Sequence, residues 1–450
     1  MATAGAYPSY RESELPWVPK LPHGWQVLRN GRLFAHRVET GFPDLPILEV
    51  SLRTGVRVRD MENLKRKQVM SQKEKYKRAV KGDIAYNMMR MWQGAVGPAP
   101  VDGLVSPAYV VVKPFPEVNS TYYSYLFRTD AYMREVNKFS RGIVADRNRL
   151  YWDEFKQMPS LVPPRTEQDQ IVAYLRVQDA HIARFIKAKR DMIALLKEQL
   201  KNIIARAVTQ GIRPNVSKRS SGIEWLPEIP VHWQTGSVRS EMECLNRRRV
   251  PLSAIERGHL QGEYDYYGAS GVIDHICKYI FDEDALLIAE DGANLVLRNL
   301  PLAIVARGKF WVNNHAHILK PRQGSLEYFA HLMECVDYRP WISGAAQPKL
   351  TKDRLLSIRI PVPPRAEQAE IVKYISAEIA DPSTAIERAT HEISLIREYR
   401  DRLIADVVTG QRDVRSWVPG PDDVVTDGDL AALGDDEQID AEGEGDDGDD

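Results

Sequence analysis

The sequence predicts an α+β chain: two mixed α/β globules alternate with two long coiled-coil helices, the second half repeats the first, and an acidic disordered tail follows. Three observations predict it. A motif is duplicated at a fixed spacing, each copy opens a segment with a heptad-like apolar seam, and the stretches between read as strands and turns.

The duplication comes first. Residues 162–175 read VPPRTEQDQIVAYL and residues 362–375 read VPPRAEQAEIVKYI, identical at nine of fourteen positions with an offset of 200. The match resumes in register at Ile204/Ile404, Ala205/Ala405, Val208/Val408 and Thr209/Thr409, so the intervening segments have equal length. Trp17, Pro19, Pro22 and Trp25 recur as Trp225, Pro227, Pro230 and Trp233, each at an offset of 208. The chain therefore reads as a pseudo-two-fold repeat: globule 1–161, helix 162–213, globule 214–361, helix 362–414 and tail 415–450.

The globules alternate short β-branched or aromatic runs with Gly, Pro and Asn. Residues 107–112, 286–289 and 302–306 read as strands, and 119–137 and 325–337 as short helices. Pro163-Pro164 and Pro363-Pro364 cannot sit inside a helix and mark each long helix's start. Thr166 is the expected cap of the first, with Glu167 and Asp169 in its first turn facing the positive dipole end. Ile182, Ile186, Ile193, Leu196, Leu200 and Ile203 then form a seam interrupted by Lys189. Ile386, Ala389, Ile393, Ile396 and Leu403 form the second, interrupted by Arg400. Asp381-Pro382 predicts a kink or short break in the second helix, Asp381 capping a restart.

Composition bounds the function. A chain of 450 residues holds two to four domains, and 43% hydrophobic with 27% charged residues is ordinary for a soluble protein. No apolar run reaches the length of a membrane span, and Met1 to Trp17 has no apolar core of a secretory signal. Three scattered cysteines, Cys244, Cys277 and Cys335, make neither a disulfide framework nor a four-ligand zinc site, which fits a reducing cytoplasm. The net charge of −1 hides an asymmetry: residues 421–450 hold 14 Asp or Glu and no Lys, Arg or His, leaving 61 basic against 48 acidic residues, a net of +13, over residues 1–420. A basic body suits a polyanion, although excess lysine also serves solubility.

Catalytic apparatus is missing from the sequence. There is no phosphate-binding GxxxxGK[ST], no dinucleotide fingerprint and no Asn/Asp-Pro-Pro-aromatic tetrapeptide of amino-methyltransferases. Pro43-Asp44 with Glu49-Val50-Ser51 imitates a nuclease motif but lacks its lysine. His315 and His317 share a strand face with no third ligand, so hydrogen-bonded histidines are expected rather than a metal site; Glu290-Asp291-Gly292 reads as an acidic turn.

The basic clusters carry more. Lys65, Arg66, Lys67, Lys73, Lys75, Lys77, Arg78 and Lys81 form a dense positive stretch, and Arg247, Arg248 and Arg249 another. Such side chains neutralise phosphates, although a solvated face looks the same in sequence. Base reading needs bidentate donors and acceptors on loops; the candidates are Asn87, Arg90 and Gln93, then Asn294, Asn313, Asn314, Gln347 and Lys349.

These features together resemble the specificity subunit of type I restriction–modification enzymes. Pro-Pro-Arg-x-Glu-Gln followed by Ile-Val-x-Tyr stands at 163–174 and 363–374, as in that family's paired helical regions. Leu395 to Arg400 through Val408-Thr409-Gly410 is similar to the end of its second helix. Gly82-Asp83-Ile84 with Ser106-Pro107-Ala108-Tyr109 resembles one class of target-recognition domain. Tyr267 to Gly271, Glu290 to Asn294, Trp311 to His315 and Gln347-Pro348 resemble another.

The resemblance implies two target-recognition domains, each reading half of a bipartite double-stranded DNA site, with two antiparallel helices setting the gap. It implies two modification subunits carrying S-adenosylmethionine and adenine-N6 methylation, and restriction subunits carrying ATP, magnesium, motor and nuclease. The chain itself then has no cofactor, no metal and no catalytic residue. A stand-alone DNA-binding regulator and a coiled-coil scaffold are the rival readings.

Overall fold

The computed structural model describes residues 5–52, 55–59, 73–141, 148–344, 348–426, 428, 429 and 433. The chain divides into two compact units, Met1–Asp191 with Ala389–Asp450, and Met192–Arg388. That division cuts through both long helices, Arg165–Gln210 and Arg365–Val408. Each unit thus owns the start of one helix and the end of the other.

The first unit is built on a four-stranded antiparallel sheet in the spatial order Phe34–Arg37, Tyr109–Pro114, Ile84–Asn87, Val96–Pro98. Tyr109–Pro114 is central, and its Val110, Val111 and Val112 are buried, which is why this β-branched run forms the strand. Two flanking pairs join Tyr10–Glu12 to Lys20–Pro22 and Gln26–Arg29 to Pro159–Val162. Helices Ser120–Phe127 and Asp130–Phe139, capped by Asn119 and Thr129, cover the sheet.

The second unit repeats this plan. Its sheet runs Met242–Cys244, Ala316–Pro321, Ala285–Ala289, Ala303–Ala306, also antiparallel. Lys218–Ile223 pairs with Leu226–Pro230, and Gln234–Ser237 with Arg359–Val362. Leu326–Cys335, capped by Ser325, replaces the first helix of the other unit. A further sheet, Val272–Ile276, Gln261–Tyr267, Lys309–Val312, Phe281–Asp282, has no counterpart among the described residues of the first unit and contains one parallel pair. The duplication therefore extends through stretches where the sequence echo has faded.

The repeated PPRxEQ motif has a structural reason. Gln168 is buried; its Nε2 donates to the Pro163 carbonyl at 3.0 Å, and its Oε1 accepts from the Asn119 amide at 2.9 Å. Gln368 does the same with the Pro363 carbonyl at 3.0 Å and the Ser325 amide at 3.0 Å. Each glutamine thereby ties the start of a long helix to the capping residue of its globule's short helix. Tyr122 donates to the Val408 carbonyl at 3.0 Å, and Tyr328 to the Val208 carbonyl at 3.2 Å, so each globule also holds a helix end. Gly410, with φ +74, ends the second helix; a Cβ there would lie 2.6 Å from the Pro22 ring, so only glycine fits.

The helices run antiparallel within each unit. In the first, Asp179 Oδ1 lies 2.6 Å from Arg400 Nε, and Lys189 Nζ lies 2.6 Å from Glu392 Oε2. The two cations that interrupt the seams thus meet acids of the opposite helix and pin the register. In the second unit Arg213 lies 3.3 Å from Glu370, and Ala207 and Val208 pack in one core with Ile371 and Ile375.

Ile182, Ile186, Ile393 and Leu403 of the seam are buried, while Ile193, Leu196, Leu200, Ile203, Ile386 and Ile396 are half-buried. Ala180 and Ala183, which no apolar count would single out, are buried.

Two expectations are corrected, and a third lies mostly outside the described residues. No break occurs at Asp381-Pro382: the helix runs through Pro382. The proline removes one amide, leaving the Glu378 carbonyl without its helical partner, and Glu378 is exposed, so water can satisfy it. Thr166 is not the cap: the helix begins at Arg165, and the Pro164 carbonyl accepts from the Glu167 and Gln168 amides at 2.9 and 3.0 Å. The expected disorder of the tail falls mostly outside the described residues; within them Asp423 Oδ1 lies 3.1 Å from His181 Nε2. Among the described residues no helix is long and apolar enough to cross a membrane.

Candidate nucleic-acid interface

In the second unit four segments distant in sequence meet where strand Ala285–Ala289 ends. The Glu290 amide donates to the His315 carbonyl at 2.8 Å, the Leu350 amide to the Glu290 carbonyl at 2.8 Å, and the Gly292 amide to the Pro348 carbonyl at 3.1 Å. The Asn313 amide donates to the Tyr267 carbonyl at 3.0 Å, bringing in the Tyr267 to Gly271 turn. The motifs quoted separately from the sequence thus form one loop cluster.

Glu290 is the electrostatic centre of that cluster. Arg249 donates to its carboxylate at 2.7 Å, and Lys349 Nζ lies 3.4 Å away. Burial by itself would raise the Glu290 carboxyl, but the Arg249 hydrogen bond and the surrounding positive charge hold it below its usual range. Buried His317 lies 2.7 Å from the Leu350 carbonyl through Nε2 and 2.8 Å from Asn246 Nδ2 through Nδ1. A carbonyl only accepts, so Nε2 carries the proton and Nδ1 accepts from the amide. His315 Nδ1 sits 3.0 Å from Asp291. Among the described residues no three His, Cys, Asp or Glu side chains gather as a metal site.

Burial lowers the His317 pKa, so the folded unit keeps the ring neutral while the unfolded chain protonates near pH ~6.5. The stability this contributes is complete above that pH and is lost as pH falls below it. Denaturant unfolding between about pH 7 and about pH 5 should show the loss, and His317→Gln should make it shallower.

The first unit has a topologically equivalent loop cluster. Strand Ile84–Asn87 ends at Asn87, the Met88 amide donates to the Ala108 carbonyl at 3.2 Å, and the Leu150 amide to the Met88 carbonyl at 2.9 Å. Leu150 to Met88 thus repeats Leu350 to Glu290. The cross-strand bridge Arg141 with Arg149 likewise matches Ser343 with Lys349.

The structure separates the predicted residues into two kinds. Several are already engaged. Arg249 also binds the Asn314 and Ala316 carbonyls at 3.1 and 2.9 Å, and Arg248 binds Glu283 and stacks over Phe281. Asn294 clamps Leu300 through both its amide groups, Asn313 Oδ1 accepts from the His315 amide, and Asn87 Oδ1 from the Met89 amide. These side chains shape loops. Lys73, Lys75, Arg90, Gln93, Arg247 and Asn314 have no side-chain hydrogen-bond or ion-pair partner among the described residues. Lys65, Arg66, Lys67 and Gln347 lie outside them.

Sequence reasoning missed Arg149. It is exposed, has no side-chain partner among the described residues, and sits 200 positions before Lys349 in the equivalent loop. The signal was the echo of Arg149-Leu150 in Lys349-Leu350 just ahead of the duplicated motif. A second miss is a cavity of about 410 Å³ lined by Arg37, Lys81, Asp83, Lys113 and Arg165. Its cations are scattered along the chain, so no window of sequence contains them.

Residues 230–393 match the family model of the type I restriction modification DNA specificity domain. Those residues, about a third of the chain, carry the type I specificity domain. It is 33% identical over 159 residues to a protein described as a type I restriction enzyme specificity subunit from Haemophilus influenzae, a match spanning 35% of this chain and 37% of that relative. A chain of a solved type I R-M system is alike in fold, with a TM-score of 0.61 at 14% identity over 87% of this chain and 99% of the other. The matched domain holds the second unit's loop cluster and the start of the second long helix. The first unit's share in the specificity-subunit fold rests on its repeated sheet order.

Proposed function

We propose that this chain is the DNA-reading subunit of a type I restriction–modification complex, each unit reading one half of a bipartite double-stranded DNA site. The observation that supports this best is the repeated loop cluster: the same end of the same sheet, closed by the same Leu150 and Leu350 amide bonds, occurs in both units. A basic body supplies the phosphate affinity. The paired helices set the gap between half-sites and carry two modification subunits, which hold S-adenosylmethionine and methylate adenine N6. Restriction subunits with ATP and magnesium join them. The chain itself carries no chemistry, and three free cysteines suit a cytoplasmic setting.

The test is to express the chain with its modification partner and sequence the methylated sites. The expected result is a single interrupted, asymmetric site; methylation without an interrupted site would overturn the reading. Arg149→Ala and Lys349→Ala should each weaken binding to all sequences and lower the log–log salt slope by about 0.9 if each meets one phosphate. A changed half-site word instead assigns that residue to base reading.

A further inference from the structure

The internal repeat places two copies of one groove in this chain, one filled and one open. In the first unit Tyr174 is 5% exposed because the segment after the second helix covers it. Trp417 packs edge-on against Tyr174 at 5.4 Å, and Val414 is fully buried. Gln170 Nε2 donates to the Trp417 carbonyl at 2.6 Å and also reaches the Val414 carbonyl at 3.4 Å. Leu403, the repeat of Ile203, belongs to the same core and is 3% exposed.

In the second unit no described segment fills the same groove as Val414 and Trp417 do in the first. Tyr374, the repeat of Tyr174, is 39% exposed. With Leu195, Ile203, Ala207, Ile212 and Arg213 it lines a cavity of about 500 Å³. The chain after the first helix cannot fill it as its counterpart does. Counting from the helix-ending glycines Gly211 and Gly410, Asn215 stands where Val414 does, and Lys218 where Trp417 does. Lys218 instead leads into strand Lys218–Ile223 and binds Gln210 Oε1 at 3.0 Å. Glu370 replaces Gln170 and cannot donate to a carbonyl, but its ion-pair partner Arg213 lines the groove and can.

We infer that the Tyr374 groove binds an extended segment of a partner protein that carries an aromatic side chain, with an aliphatic residue three positions before it. The chemistry is read from the filled copy: the aromatic ring meets Tyr374, the aliphatic side chain covers Ile203, and Arg213 takes the carbonyls that Gln170 takes in the first unit. A flat aromatic anchor in a preformed slot gives much contact area for little ordering entropy. The inference does not depend on DNA reading, since neither loop cluster lines the groove.

The probe is a labelled synthetic peptide of residues 412–420, RDVRSWVPG, titrated into the full chain by fluorescence polarisation. Saturable binding is expected, weakened roughly tenfold or more by replacing the peptide's Trp with Ala and by Tyr374→Ala in the chain. Tyr374 is partly exposed, so its truncation leaves the core intact. Leu195→Arg, at a side chain 67% exposed, obstructs the groove without touching the core and should weaken binding equally. No binding would overturn the inference. So would binding indifferent to both variants, which would place the peptide in the Tyr174 groove after displacing Trp417. A dimer of the unliganded chain that Tyr374→Ala abolishes would assign the groove to a second copy and overturn the partner reading.

Discussion

Asp179→Ala should destabilise the first unit by about 3 kcal/mol. Asp179 is 4% exposed and carries two bonds: Oδ1 accepts from Arg400 at 2.6 Å, and Oδ2 from the Tyr125 hydroxyl at 2.7 Å. Its loss leaves the Tyr125 phenol without an acceptor and a largely covered guanidinium with only the longer contact to Asp401, at 3.7 Å. Breaking such a pair costs roughly 3–5 kcal/mol, and the partial exposure of Arg400 argues for the lower end. Urea unfolding measures it. The double change Asp179→Leu with Arg400→Leu should recover most of the loss, because no charge then remains to desolvate. A double mutant as unstable as the sum of both single changes would show that the two side chains are not coupled.

Matched insertions of four residues, between Leu196 and Lys197 and between Ser383 and Thr384, should lengthen the gap in the methylated site while both half-site words persist. Four helical residues add about 6 Å and turn through about 400°. That is close to the rise and twist of one to two base pairs at 3.4 Å and about 10.5 pairs per turn. Sequencing of methylated DNA reads the gap; an unchanged gap would show that the helices do not set it. An insertion in one helix alone should instead cost stability, because the antiparallel partners of Arg213 and of the Ala207–Val208 core lie on the other helix and would fall out of register.

Much of this molecule was legible in its residues. The doubled PPRxEQ motif located both long helices, whose starts at Arg165 and Arg365 keep the offset of 200. Local signals sufficed there, because helix periodicity and proline boundaries act within a few residues. The strands around 109–112 and 286–289 followed from β-branched runs for the same reason. The family resemblance also stood in contiguous motifs.

The candidate site was less legible. Arg249 and Asn294 have the donors that base reading needs, yet the fold occupies them with Glu290 and Leu300. Residue type states what a side chain can bond, not whether a distant segment already bonds it. Arg149 was overlooked for the converse reason, as an arginine outside the dense basic stretches.

The sequence by itself determined the duplication, the order of globules and helices, and the basic body with its acidic tail. These are properties of composition and short-range spacing. Only the tertiary structure decided that both globules share one sheet order, that Lys189 and Arg400 serve as register pins, that Pro382 leaves its helix unbroken, and that one Tyr groove is filled while its twin is open. Each depends on which remote groups a side chain meets and how much water reaches them, and those are set by packing across the fold.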